Sequence, residues 1–291
     1  MRQEIIDLYD DYTHARIDRR AFLSHLATVA GGTAAAYALL PLLGNDYAQA
    51  ATIAADDARL VTERAEFTGV TGSVKCYLVR PADARPKGRK RYPGVVVIHE
   101  NRGLNAHIED VARRTALAGF IALAPDALSP FGGTPTDEEA ARGLFGKLDA
   151  GNTRGDFSAA VDWLGGHEAC AGKVGAVGFC WGGGMVGQLA VHSRALDAGV
   201  VFYGRQPAAE EVAQITAPLL LNYAGLDLRI NEGVPAFQRA LDAAGVRHEL
   251  YYNVGANHAF HNDSNAARYS QPAAELAWSR TIEFLQRELT Q

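Results

Sequence analysis

Short apolar runs rich in β-branched residues alternate with longer amphipathic segments from about residue 61 to the end of the chain. A mostly parallel sheet whose strands are joined by crossover helices produces this alternation. We therefore predict one domain of the α/β class, built on a doubly wound sheet flanked by helices. The seven predicted strands are Ser73–Arg80, Pro93–His99, Phe120–Ala124, Lys173–Phe179, Ala198–Tyr203, Pro218–Tyr223 and His248–Tyr252.

The first 50 residues depart from this pattern. Arg19 and Arg20 precede a weakly apolar, Ala- and Gly-rich stretch over about 25–43, an arrangement typical of a twin-arginine export signal. The sequence Ala-Gln-Ala at 48–50 supplies the small-x-small pattern of a signal peptidase site. We divide the chain into an export signal or N-terminal extension, 1–50, and the α/β domain, 51–291.

This division predicts a periplasmic protein that meets the export machinery. The alternative is a cytoplasmic protein with a helical N-terminal extension, because residues 1–15 are unusually long and acidic for the leading part of a signal. The stretch over 25–43 contains glycines and is too weakly hydrophobic for a lasting membrane span, so none is expected.

Composition argues for a globular protein and against a nucleic-acid partner or a structural zinc site. Of the 291 residues, 48% are hydrophobic and 21% are charged, the profile of a globular protein with a packed core. The net charge of −5, with basic residues scattered along the chain, argues against a nucleic-acid partner. The three cysteines lack C-x-x-C spacing and cannot all pair, so we expect no structural zinc site and at least one free thiol. Cys76 and Cys170 are interpreted as small buried apolar residues.

The third cysteine lies in a nucleophile motif. Gly178-Phe179-Cys180-Trp181-Gly182 has the form G-x-C-x-G and stands between a predicted strand and a predicted helix, as a nucleophile elbow requires. The nucleophile of such an elbow sits on a strained turn, so the residues two before and two after it must lack side chains. The N-terminus of the following helix also favours a thiolate. We therefore predict Cys180 as the nucleophile.

Two later loops supply an acid and a base in the order that this fold requires, nucleophile then acid then histidine. Asp227 follows a strand and a glycine turn, where its carboxylate can orient an imidazolium. His258 follows the turn after the last strand and precedes the apolar Phe260, so it is the predicted general base. His261, three residues further on, is the competing candidate.

An oxyanion hole needs two backbone N–H groups aimed at the developing charge. The first is predicted at Trp181, directly after the nucleophile, and the second at Asn101, in the loop after strand 93–99. Glu100 stands at the end of the same buried strand, where a carboxylate is normally paired. A salt bridge from Glu100 to Arg102 or another arginine is the purely structural interpretation.

Five motifs lie in a fixed order over about residues 61–289: HE-x-x-GL at 99–104, APD at 124–126, GFCWGG at 178–183, YG at 203–204 and NHAF at 257–260. Together they resemble the dienelactone hydrolase family. The resemblance implies an α/β-hydrolase fold and hydrolysis of lactones or small carboxylic esters by a Cys-His-Asp triad, through a thioester and with no metal or organic cofactor. It also implies that Glu100 contacts the cysteine and holds or exchanges its proton before substrate displaces it.

The resemblance leaves the substrate open. Family members that act on dienelactone bind its carboxylate with arginines, one of them shortly after the APD motif, but residues 127–131 contain none. Arg102 or Arg205 is predicted to take that role beside Tyr203. A thiol-based redox enzyme that uses Cys180, and a non-catalytic small-molecule binder, are the alternative functions on the same scaffold.

Overall fold

The computed structural model describes residues 1–47, 52–84 and 91–290. Its strands are β1 Leu60–Gly69, β2 Gly72–Pro81, β3 Tyr92–Ile98, β4 Ile121–Pro125, β5 Cys170–Phe179, β6 Ala198–Phe202, β7 Leu219–Ala224 and β8 His248–Asn253. They form one sheet in the order β1-β2-β4-β3-β5-β6-β7-β8. Strands β3 to β8 pair in parallel, whereas β2 is antiparallel to both β1 and β4.

Ten helices accompany the sheet in the described part of the chain. They are α1 Gln3–Thr13, α2 Arg19–Ala30, α3 Thr33–Leu43, α4 Ala106–Leu117, α5 Glu138–Phe145, α6 Ala150–Gly166, α7 Trp181–His192, α8 Leu228–Asn231, α9 Val234–Ala244 and α10 Gln271–Leu289. Short 3-10 turns lie at Ser129–Phe131 and Ala209–Gln214. The predicted α/β class with a doubly wound, mostly parallel sheet is confirmed.

Sequence reasoning predicted seven strands and missed β1. This strand pairs along its whole length with β2 at the edge of the sheet. Only Leu60 and Phe67 of its ten residues are buried, so it carries little of the apolar alternation that marks a strand. The edge strand β1 and its neighbour β2 therefore form an antiparallel hairpin that extends the parallel sheet beyond β4.

Alternate residues of the central strands point to opposite faces of the sheet and pack into two hydrophobic cores, one on each face. Val96 and Ile98 of β3 belong to the core packed under α6, α7 and α9. Val95 and Val97 of the same strand belong to the core under α4 and α10. Burial on both faces explains the continuous apolar runs in the sequence. The parallel strands end at one edge of the sheet, where the loops after β3, β5, β7 and β8 meet.

The N-terminal segment, residues 1–47, folds as a small helical layer with a third apolar core. Helices α1, α2 and α3 share the buried residues Ile5, Tyr9, Tyr12, Phe22, Leu26, Ala36 and Leu43. Its last turn is held by Asn265 of the α/β domain, whose side-chain amide donates to the carbonyl of Leu43 at 2.7 Å. The N-terminal segment is therefore packed onto the α/β domain.

The paired arginines of the predicted export signal lie exposed in the first turn of α2. Asp18 caps this helix by accepting a hydrogen bond from the Ala21 amide at 2.7 Å. No single described helix is both long and apolar enough to cross a membrane, and the pair α2 and α3, which together reach that length and composition, is bent by 111°. The predicted cleavage site at 48–50 lies outside the described residues. Export stays a prediction.

Candidate active site

The turn at Cys180 has the geometry expected of a nucleophile elbow. Cys180 joins the end of β5 to the start of α7 with φ 54° and ψ −113°, a conformation that L-residues seldom adopt. A Cβ atom on Gly178 would lie 2.1 Å from the Gly182 carbonyl oxygen, and one on Gly182 would lie 2.3 Å from the carbonyl oxygen of Ile98. Both positions of the motif therefore need glycine for steric reasons.

Asp227 and His258 meet as the order of the loops predicts. Asp227 follows β7 and caps α8, with Oδ1 accepting from the Ile230 amide at 3.1 Å. Its Oδ2 lies 2.5 Å from Nδ1 of His258, in the loop after β8, and both side chains are buried. The buried Nε2 of His258 has no hydrogen-bond partner among the described residues. A ring nitrogen of His258 lies within 4.8 Å of the Cys180 sulfur.

A second histidine, His14, reaches the same sulfur and was missed in the sequence. Its Nε2 lies 3.3 Å from Sγ of Cys180, and its ring meets that of His258 edge-on, with centroids 4.7 Å apart. The residue follows α1, in which Ile5, Tyr9 and Tyr12 are buried. That helical spacing of apolar residues was the available signal for a packed helix, but paired arginines led us to interpret the segment as a leader.

Electrostatics at this cluster favour a charged nucleophile. Burial would raise the pKa of the Cys180 thiol, but the neighbouring His258 and His14 outweigh burial and lower that pKa to about 5. Burial would also raise the pKa of Asp227, which His258 and Arg229 instead lower to about 2. The pKa of His258 is raised well above its usual value because Cys180 and Asp227 overcome its burial. The favoured state is a thiolate beside an imidazolium.

Arg229 is another side chain that the sequence analysis did not select. Its Nη2 lies 3.4 Å from Nδ1 of His258, 3.3 Å from Nε2 of His14 and 3.9 Å from Oδ2 of Asp227. The guanidinium thus adds a fixed positive charge between the two imidazoles. Nothing in the sequence besides its proximity to Asp227 marked this residue.

Glu100 is buried at the site, but its hydrogen-bond partners are Asn262 and Tyr203 and not the thiol of Cys180. Its Oε2 accepts from the side-chain amide of Asn262 at 2.7 Å, and the hydroxyl of Tyr203 lies 3.5 Å from Oε1. Glu100 and Cys180 line a common small cavity. Arg102, the partner considered in the sequence analysis, instead pairs with Glu138 at 3.3 Å.

The two predicted oxyanion-hole residues lie next to Cys180. Trp181 is the first residue of α7, so its amide N–H has no acceptor within the helix. Asn101 lies in the loop after β3, and both residues line the same pocket as Cys180. The Asn101 side chain donates to the Thr13 carbonyl at 2.9 Å and accepts from Nη1 of Arg102 at 2.8 Å.

The pocket in front of Cys180 has a volume of about 600 Å³. Apolar walls come from Phe145, Trp181, Met185 and Ile230, and Tyr203 and His258 also line it. Of the two arginines predicted to bind substrate, Arg205 lines this pocket and is exposed, whereas the buried Arg102 does not line it.

His261, the competing histidine, and Asp126 of the APD motif both make contacts that support the fold. His261 is buried and stacks on Phe179 at 4.9 Å between ring centroids. Burial lowers its pKa well below the usual value. Asp126 of the APD motif organises the loop after β4 by accepting hydrogen bonds from Leu128 and Thr134.

Among the described residues, the donor atoms of His14, Cys180 and His258 also form a set that soft metal ions bind in proteins, since all three lie within 4.8 Å of one another. A thiolate and two imidazoles could hold such an ion. The same three groups suffice for nucleophilic chemistry without one, and the expectation that no metal is needed stays a prediction.

Comparison with known proteins agrees with this geometry. Residues 74–289 match the model of the dienelactone hydrolase family. The chain belongs to the dienelactone hydrolase family. A Methylorubrum extorquens protein provisionally named carboxymethylenebutenolidase is 29% identical over 255 residues, covering 81% of this chain and 84% of that protein. A crystal structure of a provisionally named dienelactone hydrolase from Klebsiella pneumoniae, 25% identical, superposes with a TM-score of 0.69 over 80% of this chain and 99% of its own.

This dienelactone hydrolase family member is thus a hydrolase of the α/β-hydrolase fold, as predicted. Escherichia coli K12 contains a provisionally named hydrolase fragment, YghX, that is 46% identical over 119 residues, covering 40% of this chain and 98% of the fragment. Residues 1–32, which include His14, lie outside the hydrolase family match and instead match a separate model described as YqhI-like.

Proposed function

We propose that this protein hydrolyses a lactone or a small carboxylic ester through a thioester on Cys180, with His258 and Asp227 as base and acid of the triad. The observation that carries the proposal is the strained elbow that holds the Cys180 sulfur beside a histidine already bound to a buried carboxylate at 2.5 Å. This is the arrangement of an activated nucleophile, its base and the group that orients the base.

In the proposed reaction the thiolate of Cys180 attacks the substrate carbonyl carbon and the carbonyl oxygen becomes an oxyanion. The backbone N–H groups of Trp181 and Asn101 stabilise that oxyanion. The tetrahedral intermediate collapses, the carbon–oxygen bond breaks, and the leaving oxygen takes a proton from Nε2 of His258. Water then loses a proton to the same nitrogen and attacks the thioester, which releases the acid and the thiolate.

The pocket supports a small and partly apolar substrate. Its volume of about 600 Å³ and its wall of Phe145, Trp181 and Met185 suit a compact acyl group or lactone ring. Arg205 also lines this pocket, so we propose that a carboxylate on the substrate points toward Arg205. Replacement of Arg205 by Gln is expected to raise KM for a lactone that carries a carboxylate and to leave KM for a neutral ester nearly unchanged.

Intact-protein mass spectrometry tests the mechanism. The purified protein is mixed with a p-nitrophenyl acyl ester, sampled over time and peptide-mapped. We expect an acyl adduct on Cys180 that disappears with time in the wild type and persists in His258→Ala, because deacylation needs the base. The matched control is Cys76→Ala, which removes a buried free thiol remote from the pocket and keeps the adduct.

Two results would overturn the proposal. One is hydrolysis at the wild-type rate by Cys180→Ala. The other is the absence of any acyl adduct and of any turnover, both with the activated ester and with a panel of lactones that includes dienelactone. An oxidised Cys180 after treatment with peroxide, with no acyl transfer in either assay, would instead favour thiol-based redox chemistry.

A further inference from the structure

The N-terminal segment is anchored over the candidate active site by polar contacts from one buried and one half-buried arginine. Arg268, in the loop after β8, pairs with Asp10 of α1 at 2.8 Å and lies over the ring of Tyr9. Arg142 of α5 lies 4.0 Å from the ring centre of Tyr12 and donates to its carbonyl at 3.3 Å. These contacts hold the end of α1 in place, so the residues that follow it have a defined position.

The turn after α1 forms part of the substrate pocket. Thr13, His14 and Ala15 line the pocket together with Cys180. Ala15 has a positive φ of 57°, so the chain reverses sharply just after His14. A substrate carbonyl at Cys180 therefore lies beside this turn, which the hydrolase family match at 74–289 does not include.

The hydrogen bonds of His14 define which nitrogen faces the sulfur. Nδ1 lies 2.8 Å from the backbone carbonyl oxygen of Asp10, and a carbonyl can only accept, so Nδ1 carries a proton. Nε2 lies 3.3 Å from Nη2 of Arg229, which can only donate, so it carries no proton in the neutral ring. Nε2 is therefore the nitrogen that can take the thiol proton from Sγ of Cys180 at 3.3 Å. A proton on Nε2 makes His14 a donor to the thiolate.

The position of His14 also bears on Glu100. The family resemblance implies that Glu100 contacts the cysteine, but its two oxygens are bonded to Asn262 and Tyr203. His14 is at hydrogen-bond distance from the sulfur. The group that contacts the Cys180 sulfur in this chain is thus the imidazole of His14, whereas the resemblance implied the carboxylate of Glu100.

We infer that His14 is a catalytic residue, supplied by the N-terminal segment, whose Nε2–H holds the Cys180 sulfur as a thiolate ready for attack. This inference rests on the proposed thioester mechanism and deepens it. The thiol proton moves to Nε2 of His14, so no net charge enters the site. His258, an imidazolium because Cys180 and Asp227 raise its pKa, keeps its own Nε2 proton for the leaving oxygen and regains one from water. The charged or titratable groups packed around the pair are Asp10, Glu100, Asp227, Arg229, His258 and Arg268.

The ionisation of the thiol tests the inference without any substrate. The rate of alkylation of Cys180 by iodoacetamide is measured against pH by quantitative peptide mapping, in the full-length wild type and in His14→Gln and His14→Ala. Only the thiolate reacts, so the midpoint of the profile reports the thiol pKa. The matched control is His25→Ala, which removes an exposed histidine of α2 in the same segment.

We expect the midpoint to rise in the order wild type, His14→Gln, His14→Ala, because Gln keeps a neutral donor and Ala keeps none. A rise of one pKa unit lowers the thiolate fraction about tenfold at a pH below both midpoints. His25→Ala should match the wild type. A midpoint unchanged in both His14 variants, with circular dichroism like that of the wild type, would overturn the inference.

A higher hydrolysis rate in the His14 variants at an unchanged midpoint would likewise overturn it, because the turn would then be a plug in the pocket. Failure of the thioester proposal has a different signature. In that case the alkylation midpoint still shifts on replacement of His14, but no acyl adduct forms on Cys180. The two ideas can therefore fail separately.

Discussion

Replacement of Gly182 by Ala tests whether the elbow depends on close backbone approach. The new Cβ would lie 2.3 Å from the Ile98 carbonyl oxygen and 2.6 Å from that of His99. Both neighbours are backbone atoms at the end of β3 and cannot rotate away. Ordinary contact begins at 3.4 Å, so the start of α7 must move by about 1 Å relative to the sheet.

This movement should lower both the free energy of unfolding and the rate of ester hydrolysis. Overpacking of this kind costs about 1–3 kcal/mol, against which Ala regains about 0.5–1 kcal/mol of helix propensity. The net loss of unfolding free energy is therefore about 0–2.5 kcal/mol, with a midpoint of about 1 kcal/mol. Because Cys180 stands two residues before the clash, we also expect kcat/KM for an activated ester to fall about 100-fold, the typical effect of a 1 Å misplacement.

Urea unfolding monitored by circular dichroism measures the first effect and ester hydrolysis the second. Gly184→Ala is the matched control in the same helix, because its Cβ would come no closer than 3.5 Å to a neighbouring atom. That variant should be as stable as the wild type or slightly more stable. If Gly182→Ala unfolds at the wild-type urea concentration and keeps the wild-type rate, the steric account of the motif is wrong.

Three further predictions concern charge. Asp227→Asn should lower kcat/KM by about 10³- to 10⁴-fold in steady-state ester hydrolysis, because the His258 imidazolium loses its carboxylate partner; a loss below tenfold would contradict this role. The Cys180 pKa of about 5 places the acid limb of kcat/KM near pH 5, with activity lost as pH falls through that value, and a limb near pH 8 in a pH–rate profile would contradict it. Burial opposes ionisation of Asp263, but His107 and Arg114 lower its pKa to about 2. This carboxylate therefore stabilises the fold above its unfolded pKa of about 3.9, and the stabilisation is lost as pH falls toward 2. Asp263→Asn should thus be less stable than the wild type in urea at neutral pH, and the difference should shrink in acid; a constant difference would argue against this ion pair.

Features that depend on local sequence were predictable. The steric demand for glycine at 178 comes from the Gly182 carbonyl, within one turn of Cys180, whereas that at 182 comes from the carbonyls of Ile98 and His99 at the end of β3. The G-x-C-x-G pattern itself is local and could be recognised without knowing those neighbours. The order of Cys180, Asp227 and His258 follows from strands that end at one edge of a parallel sheet. The continuous apolar runs of β3 and β5 report burial on both faces. These patterns are short and can be recognised without knowing which distant residues they contact.

The strand β1 and the partners of the buried charges were not predictable in the same way. β1 is recognised by its pairing with β2 and not by apolar alternation, since most of its residues are exposed or half-buried. Arg102 pairs with Glu138, 36 positions away, and Glu100 with Asn262, 162 positions away. Charge partners at such separations are chosen by the packing of whole elements, which no local pattern encodes.

The fold class, the elbow motif and the order of Cys180, Asp227 and His258 could thus be predicted from the sequence, because the motif and the apolar periodicity each span only a few residues. Only the tertiary structure decided that His14 reaches Cys180 across 166 positions of sequence and that Arg205, and not Arg102, lines the pocket. A helical layer docked by the Asp10–Arg268 pair places that imidazole. Such docking depends on complementary surfaces from distant parts of the chain, and these surfaces exist only once the domain has folded.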